Sequence, residues 1–202
     1  MKKRLQDLTI KDAFMFAAVM SDEEQCRHLL ELVLNTKILT IHVVTEKSIT
    51  YHPEYHGVRL DVMAEEEGTR RRFNVEMQVK TEIALAKRSR YYHAQMDMDA
   101  LLAGESYDQL ADTYVIFICD FDPFGKEKYR YKFRMTCEES EDVEMADGRS
   151  ILFLNTRGKN ESEVPKELVT FLKYMKEDLE GSEKEFHDPY VEQLQKFVRE
   201  IK

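Results

Sequence analysis

Cysteines are few, long apolar runs are missing, and the glycine-rich signatures of nucleotide binding do not occur; each absence closes off a class of function. Cys26, Cys119 and Cys137 are odd in number and far apart, with no CxxC or Cys/His ligand spacing. That argues for reduced thiols in a cytoplasmic protein and against a structural zinc site. No apolar stretch approaches the roughly 20 residues needed to span a bilayer, so a membrane partner is not expected. The opening MKKRLQDLTIKDAF is basic but is followed by neither the apolar segment nor the small-residue cleavage site of a secretory signal. Internal repeats, low-complexity segments, GxSxG, P-loop and Rossmann glycine patterns are all missing. What remains is a chain of 202 residues, 43% hydrophobic and 10% aromatic, which suits one domain with a single sizeable core.

A net charge of −9 looks unpromising for a nucleic-acid binder, but the charge is unevenly spread. Residues 1–134 carry 20 Lys/Arg against 22 Asp/Glu, a balance of −2; residues 135–202 carry 10 against 17, a balance of −7. The acidity sits mainly in the last third, which leaves room for a basic surface earlier in the chain.

Periodicity gives an element order. Ser21-Asp22-Glu23-Glu24 has the form of a capping box, and Cys26, Leu29, Leu30, Leu32, Val33 and Leu34 supply an apolar stripe behind it. Residues 22–36 are therefore expected as an amphipathic helix. KDAFMFAAVM before it suggests a shorter helix packing Phe14, Phe16 and Val19 inward. Residues 39–51, 57–65 and 71–80 have the composition of three strands, with Gly68 in the turn between the last two. From Ala84 to Ala103 the period is helical, with Gly104 at its end. TYVIFIC, 113–119, is apolar throughout, as in a strand buried on both faces. Further strands are expected at 129–135 and 151–155. Pro165 would open a helix carrying Leu168, Phe171, Leu172 and Met175, and a last helix spans 189–201. It meets the chain end with no stop signal, which suggests a native chain continuing past Lys202. The expected division is a main domain over 1–180 and a C-terminal helix over 181–202.

The second and third strands carry one carboxylate each, Asp61 and Glu76. Strand parity puts Leu60, Val62 and Ala64 on one face and Asp61 and Met63 on the other. Phe73, Val75, Met77 and Val79 oppose Arg72, Asn74, Glu76, Gln78 and Lys80 in the same way. The apolar faces coincide only if paired residue numbers sum to an odd value. A sum of 137 leaves a four-residue turn and sets Asp61 opposite Glu76; a sum of 135 leaves a two-residue turn and makes the pair diagonal. Either way the carboxylates share a face, within roughly 5 to 8 Å at Cβ. Two outcomes are open. The acids could hold magnesium or manganese, with Gln78 orienting a water or phosphate oxygen and Lys80 offsetting the charge on phosphorus. Alternatively, the face is simply solvated, with Arg59 or Arg72 as local counter-ions.

A strand-borne Asp, a turn, then Glu-x-Gln on the next strand resembles the PD-(D/E)XK nuclease motif, with Gln78 where the usual lysine stands. YHPEYHGVRLDVMAEEEGTRRRFNVEMQVK, with KDAFMFAAVM upstream and RSRYYHAQMDMDALLAGESYDQL downstream, closely resembles one branch, the transposases and recombination-promoting nucleases of Rpn type. ILFLNTRGKNESEVPKELVTFLKYM resembles that family's later segment, so nearly the whole chain is covered. The resemblance implies an α/β, restriction-endonuclease-like core of helix, three strands, helix and strand, with further strands and helices added behind. It implies Asp61, Glu76 and the Met77 backbone carbonyl as metal ligands and Gln78 in the place of the catalytic lysine. The implied activity is Mg²⁺- or Mn²⁺-dependent DNA endonuclease chemistry linked to transposition or recombination. A homodimer would fit an enzyme that cuts both strands. The competing expectation is a catalytically weak or inactive nuclease fold serving as a binding or assembly module.

Other charged residues have a functional and a plainer interpretation. Arg70, Arg71 and Arg72 in the turn, and Lys87, Arg88 and Arg90 on the following helix, could contact a nucleic-acid backbone without reading sequence, or could be solvated. Lys128, Arg130, Lys132 and Arg134 alternate with Tyr129, Tyr131 and Phe133, as on a guarded sheet edge. Either Tyr91 or Tyr92 could face the active site, although such tyrosines usually anchor a core. Asp12 and Glu24 fit helix starts better than metal ligation, and His52 and His56 fit loops.

Overall fold

The structure, a computed structural model, describes residues 3–50, 54 and 56–202. His52 and the expected strand end at Tyr51 lie outside the described residues. Helices α1 (Ala13–Met20) and α2 (Glu23–Leu34) are followed by strands β1 (Ile41–Ile49), β2 (Val58–Glu66) and β3 (Arg72–Gln78). Then come helix α3 (Leu85–Ala100), β4 (Thr113–Cys119), β5 (Arg130–Phe133), β6 (Arg149–Asn155), α4 (Lys166–Met175) and α5 (Pro189–Ile201). The order helix, three strands, helix, strand is the expected one. The strands form one six-stranded sheet, ordered β1-β2-β3-β4-β6-β5. β1, β2 and β3 pair antiparallel, β3, β4 and β6 run parallel, and β5 returns antiparallel on the edge.

Helices cover the two faces unequally. α1, α2, α4 and α5 pack on one face, where Phe16, Leu30, Phe171, Leu172 and Leu194 meet Val62, Phe73, Val75, Ile116 and Leu152. α3 alone packs on the other, where Leu85, Tyr92 and Met96 meet Leu60, Met63, Val115, Phe117 and Phe153. β4 contributes to both cores, as its unbroken apolar sequence requires. Val191, Leu194 and Val198 of α5 belong to the four-helix side, so the C-terminal helix shares a core with α1 and α4.

Three local expectations need correction. Ser21 does not cap α2: its Oγ donates to the Ala18 carbonyl at 2.7 Å, and Asp22 is the N-cap, accepting from the Gln25 N–H at 3.0 Å. Both residues are good caps, and the chain bends between α1 and α2 one residue later than the sequence pattern suggested. Phe14 is 58% exposed while Phe16 and Val19 are buried, because a helix of eight residues turns one side to water. Finally, strict alternation fails in β2. Val58 and Leu60 join the α3 core, whereas Val62 and Ala64 join the opposite one. The ladder passes from Thr45–Val62 to Lys47–Leu60 over Glu46 and Asp61, and Glu46 has a left-handed φ of 55°. The edge strand is bent where it faces Asp61.

Candidate active site

Val62 pairs with Val75 and Met63 with Asn74, so the register is the one whose numbers sum to 137. Continued by one pair, it brings Asp61 against Glu76. The Asp61 N–H donates to Glu76 Oε1 at 3.1 Å, and the Met77 N–H donates to Asp61 Oδ2 at 3.3 Å. Each carboxylate thus reaches across to the other strand's backbone. The face is not a solvated one, because α3 covers it: Asn74 is 0% and Glu76 1% exposed. Burial first, then the Asp61 charge, pushes the Glu76 carboxyl up to about 7; burial likewise raises Asp61. The site holds more negative charge than its surroundings stabilise.

α3 supplies the cation that meets this pair. Arg88 Nη2 lies 2.8 Å from Glu76 Oε2, and Nη1 lies 3.3 Å from Gln78 Oε1 and 2.5 Å from Glu82 Oε2. Its Nε donates to the Tyr92 hydroxyl at 2.7 Å, and that hydroxyl donates to Glu76 Oε2 at 3.4 Å. Arg88 and Tyr92 are four residues apart, one above the other on the sheet-facing side of α3. Lys80 is exposed and lies beyond the end of β3. Among the described residues, no three His, Cys, Asp or Glu side chains stand together as a metal-holding group. Two carboxylates and a backbone carbonyl nevertheless suit magnesium, which keeps several waters and takes phosphate oxygens as its other ligands.

The arginines of the β2–β3 turn divide. Arg71 grips the buried Glu66 at 2.6 and 2.9 Å, and Thr69 and the Leu39 N–H hold the same carboxylate. Arg72 is tied to Glu65, Asp99 and the Met96 carbonyl. Arg70 stays exposed. Lys87 and Arg90 are exposed on α3, where with Arg59, Arg88, His56 and Tyr91 they line an open cavity of about 580 Å³ beside the carboxylates. Asp12 accepts from Lys3 and from the Thr9 N–H, and Glu24 is exposed on α2. Neither bonds to Asp61 or Glu76. Sequence reasoning left Arg88 between a nucleic-acid contact and a solvated surface, and Tyr92 between the active site and a core anchor. Their four-residue spacing, directly after Glu-x-Gln, is the signal that pairs them with the site.

The family model described as PD-(D/E)XK nuclease family transposase matches residues 9–202. No curated protein and no solved structure matches at a significant level. With that match covering essentially the whole chain, the chain belongs to the PD-(D/E)XK nuclease family of transposases.

Proposed function

We propose that the protein is a metal-dependent DNA endonuclease, hydrolysing phosphodiester bonds in the service of transposition or recombination. The observation that carries this is the buried Asp61–Glu76 pair. Two carboxylates held against each other under a helix are destabilising unless a cation joins them, and Arg88 hydrogen-bonds to Glu76 but not to Asp61. Asp61, Glu76 and the Met77 carbonyl would hold Mg²⁺ or Mn²⁺, hard ions that favour such oxygen donors. A divalent ion bound there lowers the pKa of the attacking water and stabilises the leaving oxygen. Gln78 presents an amide that orients a water or a phosphate oxygen, and Lys80, exposed past the end of β3, is a supporting charge outside the site. Lys87 and Arg90 meet the nucleic-acid backbone from α3, and Arg70 meets it from the turn. Cutting both strands takes two such sites, which a homodimer supplies. The free thiols of Cys26 and Cys119, both buried, accord with a cytoplasmic protein.

The test is plasmid nicking in Mg²⁺ and in EDTA, comparing wild type with Asp61→Ala and Glu76→Ala. The expected outcome is cleavage that needs the ion and falls by at least about 10²-fold in both variants. Variants that cut like wild type would trace the activity to a contaminant. A well-folded wild type that cuts nothing would favour an assembly module built on the same fold.

A further inference from the structure

We propose that Arg88 is a switchable cation of the site. Without the metal ion it neutralises Glu76, and when the ion and substrate arrive it releases that carboxylate and contacts the scissile phosphate. The proposal rests on the nuclease reading above. Cleavage of a phosphodiester builds negative charge on the phosphoryl oxygens, and a site lined by carboxylates needs a positive group to meet it. β3 supplies none inside the site: Arg72, at the start of its polar row, is tied to Glu65 and Asp99, and Lys80 is exposed beyond the strand.

Arg88 has the geometry for both states. Its guanidinium lies 5.2 Å from the Tyr92 ring centroid and 5.4 Å from that of Phe117, so aromatic faces fix the plane of the head group. It then divides its donors between an inner carboxylate, Glu76, 1% exposed in its side chain, and an outer one, Glu82, 42% exposed. A guanidinium shared in this way can give up the inner partner and keep the outer. An arginine serving only to bury Glu76 would need no outer partner and no opening. Arg88 instead keeps a quarter of its side chain exposed and lines the cavity it shares with Arg59, Lys87 and Arg90. Glu82 lines that cavity too, whereas Asp61 and Glu76 do not, so a phosphate approaching through it would meet Arg88 before the inner carboxylates. Release is favoured when a divalent ion takes over the charge of Glu76, since one carboxylate does not hold both cations equally well.

The experiment uses the full chain with Arg88→Gln, Arg88→Lys and the double variant Gln78→Lys/Arg88→Gln. Mn²⁺ binding is measured by calorimetry, and DNA nicking at saturating Mn²⁺. Removing a competing charge should tighten Mn²⁺ binding in Arg88→Gln by about fivefold or more. Nicking should fall by about 10²- to 10³-fold. A merely structural arginine gives the opposite metal result, because its loss slackens the carboxylates and weakens binding. Gln78→Lys should restore at least about tenfold of the lost nicking, since an ammonium at 78 starts from the atom that Arg88 Nη1 now touches. If Arg88→Gln loses its fold by circular dichroism, Arg88→Lys decides: its strongly hydrated ammonium lacks the planar fork that grips Glu76 and Glu82 together, so it holds Glu76 less tightly and Mn²⁺ binding still tightens, by less than in Arg88→Gln. Weaker Mn²⁺ binding in the folded variants, or nicking equal to wild type, overturns the proposal while leaving the nuclease reading intact. A wild type that nicks nothing removes that reading and the role of Arg88 in cleavage together.

Discussion

His93 shows how one buried side chain can set a pH limit on the whole chain. It lies on α3, 1% exposed, with Nδ1 2.8 Å from the Thr113 hydroxyl at the start of β4. Burial first, and then the positive charge of Arg149, hold its pKa down at about 4, against 6.5 for a free imidazole. The folded chain therefore refuses a proton that the unfolded chain accepts. Stability from this group is fully present above about 6.5 and is lost as pH falls toward about 4, at about 1.4 kcal/mol per unit. Full loss is about 3 kcal/mol, a large share of a normal folding free energy. We expect urea unfolding between pH 7 and pH 5 to show wild type losing about 2 kcal/mol more than His93→Gln. Parallel losses in the two proteins would mean that His93 takes up its proton without opening the fold. Glu66 works in the same pH direction but lower. Arg71, Thr69 and the Leu39 N–H bring its pKa to about 2, so its contribution disappears only as pH drops from about 4.5 through about 2.

Elements differ in how far their ends and faces are written in local sequence. The start of α2 can be tested directly, because two adjacent residues both have cap-forming side chains. Asp22→Ala should cost about 1 kcal/mol by removing the acceptor for the Gln25 N–H, and Ser21→Ala only a few tenths. Thermal unfolding of the two variants decides it, and equal losses would return the cap to Ser21. The register of β2 and β3 was legible to within two choices, since an odd sum matches the apolar faces; the structure takes 137, with the four-residue turn around Gly68, rather than 135. β4 was legible for the same kind of reason: nothing but a doubly covered strand needs seven such residues in a row. The covering of Asn74 and Glu76 was not legible. Alternation says that two faces differ in polarity, but not whether water or a helix lies over the polar one. Arg71 and Arg72 misled similarly, because their partners Glu66, Asp99 and Met96 are set by tertiary folding rather than by spacing. Leu60 changed sides because the bend at Glu46 is a property of the neighbouring strand.

At the scale of the molecule, the proposed function requires a chain of net charge −9 to bring a polyanion to two carboxylates. Long-range attraction cannot do this at physiological salt, where fields fade over about 8 Å. The task falls to cations placed close to the site, and α3 places them. Its inward residues, Arg88 and Tyr92, face Glu76, while Lys87 and Arg90 remain exposed along the adjoining cavity. The acidic last third contributes α4 and α5, which pack on the other face of the sheet, away from α3. Most of its acidity lies instead in the six carboxylates of residues 138–147, ahead of β6, where Arg134 pairs with Glu144 and Arg149 with Asp147. Under the proposed function, Lys87 and Arg90, exposed along the cavity, are binding residues rather than structural ones. In the Lys87→Ala/Arg90→Ala chain, DNA affinity measured across a salt series should fall and the salt slope should flatten by about 2. Cleavage at saturating DNA should change less than threefold, since neither residue touches the carboxylates. Arg71→Ala gives the contrast: it strips the buried Glu66 of its counter-ion, so melting temperature falls while the salt slope stays as in wild type. A double variant with an unchanged slope would mean that the nucleic acid reaches Asp61 and Glu76 by a path that does not follow α3.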